Sequence, residues 1–137
     1  SPSYTVKLVG KGSQYIINSK DKDANPYDGA KTYKLTVPAN VPVKDFWSIT
    51  VYDTQTRSQL QTPNQEFPNV NNKKTAFKEN ADGSVDIYFG PKAPEGYEKN
   101  WIQTVPGKSW FCALRVYGPT EPWFDKSWRL PDIELVD

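Results

Sequence analysis

The sequence contains no histidine, no methionine and a single cysteine, Cys112, among its 137 residues. Without histidine the chain cannot form a Ser-His-acid triad, a Cys-His pair or a histidine-containing zinc site. One cysteine allows neither an all-cysteine zinc site nor an internal disulfide. Paired carboxylates, lysine or tyrosine can still catalyse reactions, so enzyme activity stays open, although these absences count against it. We predict no catalytic residue, no metal and no cofactor in this chain.

The sequence also has no large excess of positive or negative side chains. Seventeen Lys and Arg residues stand against 16 Asp and Glu residues, which leaves a net charge of +1. This balance gives no electrostatic attraction to nucleic acid. No apolar run approaches the roughly 20 residues that a bilayer-spanning helix needs. We predict neither a nucleic-acid partner nor a membrane span.

The length fits one domain over residues 1–137. The chain opens at Ser1-Pro2-Ser3 without an initiator methionine. We therefore expect it to be the C-terminal fragment of a longer protein. The absence of methionine and the low cysteine content favour a periplasmic or secreted location, although a chain truncated by design has the same features.

The residues that are abundant suit short strands joined by tight turns: 14% are aromatic, and there are 12 prolines and 8 glycines. Apolar and polar residues alternate in four stretches that we predict to be strands, 31–37, 47–52, 84–89 and 110–117. Trp47, Trp110 and Cys112 fall on the apolar faces, so we expect them in the core. Seven or eight such strands predict an all-β fold, an antiparallel β-sandwich or jelly roll, with a closed barrel as the alternative.

Turn residues refine this prediction. Asn80–Gly83 indicates a hairpin that pairs residues 75–78 with 84–89, because Gly83 can supply a positive φ. Pro106 and Gly107 predict a type II turn over 105–108. One short helix is expected, 121–128, with Thr120 as its N-cap and Pro122 in its first turn.

A resemblance to a known family lies in three stretches, GAKTYKLTVP, KDFWSITVYDTQTRSQLQT and ENADGSVDIYFGPKAPEGYEKNWIQTVPGKSWFCALRVYGPTEPWFDKSWRLPDIE. Together they resemble the domain of unknown function 1214 over about residues 24–134. In that family the domain usually ends larger bacterial and viral proteins and often follows a domain of unknown function 1254. The resemblance implies a β-sandwich and an N-terminal partner domain, and it supplies no catalytic residues. Leu130-Pro131 stands where the family is expected to have Pro-Gly.

The candidate site is a set of aromatic and basic residues in the last third of the chain. Aromatic faces can stack on sugar rings, and a neighbouring cation can hold a carboxylate or a hydroxyl group. The opposing interpretation is that these rings close the ends of a small sandwich, which is the commoner use of aromatics. Trp123 is the ring we expect to be partly exposed. The predicted ligand-binding residues are Trp101, Arg115, Tyr117, Trp123, Trp128 and Arg129.

Charged residues offer three further interpretations. Asp125 and Arg129 are spaced for a surface ion pair, whereas Glu121 and Asp125 are spaced as a possible general acid and base. Asp21, Asp23 and Asp28 resemble part of a calcium loop, but Pro26 and Thr32 replace the glycine and glutamate that an EF-hand needs. An Asx-type turn at Asp21 is the plainer interpretation.

We therefore predict a non-catalytic β-sandwich module that packs on an N-terminal domain and binds a carbohydrate-like or other small ligand. The alternative is a part of a secreted or periplasmic hydrolase whose active site lies at the junction with that domain. A third possibility is a protein that dimerises through an exposed strand edge.

Overall fold

The computed structural model describes the backbone of residues 4–8, and residues 12–65 and 67–136 in full. In these ranges the chain forms one α-helical turn, α1 (Glu121–Phe124), one 3-10 turn (Glu98–Asn100) and ten strands. The strands are β1 (Tyr4–Leu8), β2 (Ser13–Asn18), β3 (Tyr27–Asp28), β4 (Tyr33–Val37), β5 (Val43–Asp53), β6 (Asn69–Asn71), β7 (Val85–Gly90), β8 (Trp101–Gln103), β9 (Ser109–Pro119) and β10 (Glu134–Leu135).

The strands form two sheets, which confirms the predicted all-β sandwich. The first sheet has the order β1-β2-β9-β5-β6, with β3 also paired to β9. The second has the order β10-β4-β7-β8. All pairs are antiparallel except β7 with β8, which run parallel. Jelly-roll connectivity stays a prediction. None of the helices in the described ranges is long and apolar enough to cross a membrane.

The core lies between the two sheets and is centred on Trp110, whose side chain is fully buried. Its ring stacks on Tyr27 at 4.5 Å and on Phe89 of the second sheet at 4.8 Å between centroids. Trp47 and Cys112 are also buried, so the alternation placed all three residues correctly. Burial raises the pKa of the Cys112 thiol to about 12, which keeps it protonated and unreactive at neutral pH.

Two local predictions are wrong. Residues 75–78 form no strand, and β7 pairs with β4 and β8 instead. Both edges of β7 are thus occupied, and the Lys78 backbone bonds to the buried Asn100 side chain instead. This amide accepts the Lys78 N–H at 2.9 Å and donates to the carbonyls of Lys78 and Asp86 at 2.9 Å each. The amide therefore satisfies both backbone groups of Lys78 without a strand partner. The turn itself is confirmed, since Gly83 has φ +85° and Asn80 donates its N–H to the Ser84 carbonyl.

The helix is shorter than predicted. It ends at Phe124, and the Thr120 side chain makes no capping hydrogen bond, since its backbone carbonyl accepts the Trp123 N–H instead. The type II turn is confirmed by Gly107 at φ +88° and by a 3.0 Å bond from the Lys108 N–H to the Val105 carbonyl. It connects strands in different sheets, because β8 lies in the second sheet and β9 in the first.

We expect Asn100→Ala to lower the free energy of unfolding by about 2–4 kcal/mol, because it removes a fully buried amide and the three part-buried hydrogen bonds it makes to the backbone. Urea unfolding followed by tryptophan fluorescence measures this change. Asn64→Ala is the matched control, since the Asn64 side chain is exposed and only its backbone N–H is bonded to Gln103. Its effect should stay within about 0.5 kcal/mol. Equal losses in the two variants would contradict the role given to Asn100.

Candidate functional site

The six predicted ligand-binding residues do not form one patch. Arg115 and Tyr117 lie on β9 in the first sheet, whereas Trp101 lies on β8 in the second. The Trp101 Nε1–H donates to the Gly90 carbonyl at 2.9 Å, which ties β8 to the end of β7. The remaining three residues, Trp123, Trp128 and Arg129, lie on the C-terminal segment between β9 and β10.

The C-terminal segment closes the sandwich. Trp123 is half-buried, as predicted, and its Nε1–H donates to the Gln14 Oε1 of β2 at 2.5 Å. Trp128 stacks on Trp123 with centroids 6.2 Å apart, and both indoles pack against the core. Arg129 is exposed and donates to the Lys126 carbonyl. These contacts favour the interpretation of this segment as a closing element over its interpretation as a ligand platform.

The charged side chains of the C-terminal segment form local contacts. Asp125 accepts the Ser127 N–H at 2.8 Å, and its hydrogen bonds to Ser127 lower the pKa of the carboxyl group. A general acid needs a raised pKa, so this shift argues against Asp125 as the acid of the predicted pair. The predicted ion pair between Asp125 and Arg129 is not formed. Among the described residues, the ion pair present joins Lys108 and Asp53 at 3.1 Å.

The acidic residues near position 21 form a turn. The Asp21 Oδ1 accepts the N–H groups of Asp23 and Asn25, each at 2.9 Å, which confirms the Asx-type interpretation. The described ranges contain no group of three or more acidic, cysteine or histidine side chains arranged for a metal ion.

The outer face of the first sheet, which points away from the core, carries a groove of about 650 Å³. Strand register explains its composition. Arg115 lies opposite Tyr15 on one side and Ser48 on the other, and Ser48 lies opposite Asn71. The neighbouring row contains Ile17, Ala113, Thr50 and Asn69. The lining residues are Tyr15, Ile17, Phe46, Ser48, Thr50, Tyr52, Gln59, Asn69, Asn71, Lys73, Lys74, Ala113 and Arg115.

Two cross-strand ring pairs stand on the outer face beside the two rows. Phe46 stacks on Tyr117 with centroids 4.4 Å apart and an angle of 8° between the planes. Tyr52 stacks on Phe111 at 5.1 Å and 12°. Phe46 and Tyr52 are six residues apart on β5, which corresponds to about 20 Å along a strand. The small side chains between the two ring pairs form the floor of the groove.

Arg115 is held in place by two tyrosines. Its guanidinium lies 4.1 Å from the centroid of the Tyr15 ring, and its Nη1–H donates to the Tyr117 hydroxyl at 2.5 Å. A guanidinium has five N–H donors, so this bond leaves others for a ligand. The side chain is therefore fixed before any ligand binds.

The far side of the groove is a chain of amides and hydroxyls. The Asn69 Nδ2 donates to the Thr50 Oγ1 at 2.6 Å, and the Asn71 Nδ2 donates to the Asn69 Oδ1 at 3.1 Å. Burial raises the pKa of Tyr52, with a smaller contribution from Tyr117, so the Tyr52 hydroxyl stays protonated at neutral pH. The groove thus offers both donors and acceptors beside aromatic rings.

Of the residues that line the groove, the sequence prediction included Arg115 alone; it also included Tyr117, which contacts Arg115 and Phe46. The available signal was the presence of aromatic rings at outward positions of strands, where polar side chains are usual. Phe46 and Tyr52 flank the apolar alternation of β5 in this way. Their proximity to Arg115 depends on the pairing of β5 with β9.

The two packed sheets define a β-sandwich domain. The chain belongs to the family described as "Protein of unknown function (DUF1214)", whose family model matches residues 12–121. This confirms the resemblance to domain of unknown function 1214, with a match that begins and ends earlier in the chain than expected. No curated protein matches the sequence significantly.

Two solved structures are similar in fold. The VPA0106 protein from Vibrio parahaemolyticus is 22% identical with a TM-score of 0.77, over 96% of this chain and 32% of that one. A putative uncharacterised protein from Burkholderia cenocepacia is 18% identical with a TM-score of 0.55, over 100% of this chain and 30% of that one. The chain therefore spans about a third of the length of these two proteins.

We expect Trp123→Ala to lower the free energy of unfolding by about 1–3 kcal/mol, because it removes packing against the core and the bond to Gln14. Thermal and urea unfolding measure this change. Phe124→Ala is the neighbouring control, since Phe124 is 53% exposed, and its effect should stay within about 0.5 kcal/mol. Unchanged stability in the Trp123 variant would mean that this indole does not close the sandwich.

Proposed function

We propose that the chain is a non-catalytic β-sandwich module that binds a carbohydrate-like ligand in the groove on the outer face of its first sheet. The observation that carries this proposal is the pairing of ring stacks with a floor of hydroxyl and amide groups. A sugar has apolar C–H faces and a rim of hydroxyls, so it is complementary to this mixture. Tyr52, Thr50 and Asn69 supply adjacent groups of both kinds.

The dimensions of the groove support a ligand of more than one sugar ring. Its volume of about 650 Å³ falls within the roughly 300–1,000 Å³ typical of small-molecule sites. A second hollow of about 570 Å³ shares Gln59, Asn69, Asn71 and Lys74 with the groove and continues to the exposed Phe67. A chain-like ligand could therefore cross β6 and continue beyond the sheet.

The strands make the groove rigid. Phe46 and Tyr52 each belong to a cross-strand ring stack, and Arg115 is fixed between two tyrosines. A preformed site loses little side-chain entropy when a ligand binds. This favours recognition of a small polar ligand, which has few contacts with which to offset such a loss.

We expect Phe46→Ala and Tyr52→Ala each to weaken glycan binding about tenfold or more, because each removes a ring from the groove. Glycan arrays identify a ligand, and calorimetry with that ligand measures the affinities. Tyr88→Ala is the control, since Tyr88 is an outward-facing ring on the second sheet that contacts Tyr97. The proposal fails if the chain binds no glycan, or if the groove variants bind as tightly as the control.

We also propose that the module packs on an N-terminal domain of a longer protein, such as a domain of unknown function 1254. Both solved structures are about three times the length of the region they share with this chain. Exposed apolar side chains in the last part of the chain support such a contact, namely Phe124 on the C-terminal segment, Leu135 on β10 and Val136 after it.

One substitution, made both in this chain and in the longer protein, tests this packing. Leu135→Ser in the chain alone should change stability by less than about 0.5 kcal/mol, because the side chain is exposed there. In the longer protein it should lower the melting temperature clearly more, because the contact area is lost. Calorimetric scans of the four proteins measure both effects. Equal shifts in the two contexts would contradict packing through this segment.

A further inference from the structure

We propose that the ligand of the groove is an anionic saccharide, one that carries carboxylate or sulfate groups. This inference rests on the proposed function and adds the chemical class of the ligand. The groove is lined by three cationic side chains, Arg115, Lys73 and Lys74, and none of its lining residues in the described ranges is Asp or Glu. The chain as a whole is almost neutral, at +1, so the positive charge is local to this face.

Arg115 lies on a central strand of the sheet and has no carboxylate partner among the residues that the structure describes. Its guanidinium lies over the Tyr15 and Tyr117 rings and donates to the Tyr117 hydroxyl. In structural roles a guanidinium on a sheet face commonly pairs with an acidic side chain on a neighbouring strand. Here its cross-strand neighbours are Tyr15 and Ser48. A planar, charged donor fixed in this way suits a planar carboxylate or a sulfate.

The two lysines lie on a turn at the edge of the groove. The Asn71 Oδ1 accepts the N–H groups of Lys73 at 3.0 Å and Lys74 at 2.8 Å. The Thr75 Oγ1 accepts the Asn71 N–H at 3.1 Å, which fixes the turn to the end of β6. Both lysines are exposed, and neither takes part in an ion pair within the described residues.

The row of residues across the sheet sets the spacing of these charges. Arg115, Ser48 and Asn71 are consecutive neighbours on β9, β5 and β6. Adjacent strands are about 4.8 Å apart, so the backbone at Asn71 lies roughly 10 Å from that at Arg115. Two cationic points are therefore separated by a polar floor. This spacing favours a ligand that repeats its negative charge along a chain over a single small anion.

The test uses pairs of ligands that differ only in charge. An oligogalacturonate and its methyl-esterified form make one pair, and a sulfated glycan and its desulfated form make another. Free galacturonate and inorganic sulfate are included to distinguish a chain ligand from a lone anion. We expect an anionic oligomer to bind about tenfold or more tighter than its neutral form. We also expect its affinity to fall steeply as salt shortens the screening length from about 10 Å to about 3 Å.

Substitutions then locate the charge effect. The double variant Lys73→Gln, Lys74→Gln and the single variant Arg115→Gln should each lose about tenfold in affinity for the anionic oligomer and little for the neutral form. The control is Lys22→Gln, Lys99→Gln, which removes two exposed lysines outside the groove and changes the net charge equally. Circular dichroism and thermal unfolding check that every variant is folded.

The outcomes separate this inference from the proposed function. Glycan binding that depends on Phe46 and Tyr52 but is equal for charged and neutral forms would overturn the anionic class and leave the proposed function standing. Equal losses in the groove and control lysine variants would also overturn it, since they would show a nonspecific charge effect. Binding of free sulfate alone would mean a lone-anion site. Binding of no glycan at all would overturn both proposals.

Discussion

The pairing of β5 with β9 is the interaction on which the rest of the structure depends. These two strands, each of eleven residues, lie side by side in register from Phe46 opposite Tyr117 to Asp53 opposite Trp110. Side chains alternate between the two faces of a strand, so one register determines both the core and the groove. A slip of one residue would turn Trp110 and Val116 outward and would bring Arg115 into the core.

This dependence links stability to the candidate site. The inner face of the ladder stacks Trp110 on Tyr27 and Phe89, and the outer face stacks Phe46 on Tyr117. Cross-strand ring pairs each contribute roughly 0.2–1 kcal/mol to a sheet. The outer rings therefore stabilise the ladder even without a ligand. Their presence alone does not identify a binding site. This face is distinguished by its polar floor and by cations that form no ion pair with any described residue.

Much of the fold could be predicted from the sequence, because its strands alternate strongly. The core positions of β4, β5, β7 and β9 follow from local pattern alone. The assignment of strands to sheets does not, because it depends on contacts between distant residues. Residues 101–103 and 109–119 are separated by a five-residue connection, yet they belong to different sheets. The hydrogen bonds of the Asn100 side chain could likewise not be expected, since all three reach backbone groups of residues that are 14 and 22 positions away.

Only part of the candidate site could be predicted from the sequence, and the reason is again physical. The prediction of the site relied mainly on tryptophan and therefore selected Trp101, Trp123 and Trp128. An indole N–H needs an acceptor when it is buried, and two of these indoles meet that need inside the fold, at Gly90 and Gln14. The groove uses Phe and Tyr instead. A phenylalanine ring has no N–H or O–H that needs an acceptor. It can therefore lie on the solvent-facing side of a sheet, stabilised by stacking on another ring.

The positive charge of the candidate site could not be predicted from the sequence either. A net charge near zero argues against a polyanion partner only if the charges are evenly mixed over the surface. In this fold the turn after β6 brings Lys73 and Lys74 to the same face as Arg115, although about 40 residues separate them in sequence. Acidic residues such as Asp21, Asp82 and Asp125 are used in turns elsewhere, where their side chains accept backbone N–H groups. A sequence with nearly equal numbers of positive and negative side chains thus folds with a positively charged face. The net charge of the whole chain could not have shown this face.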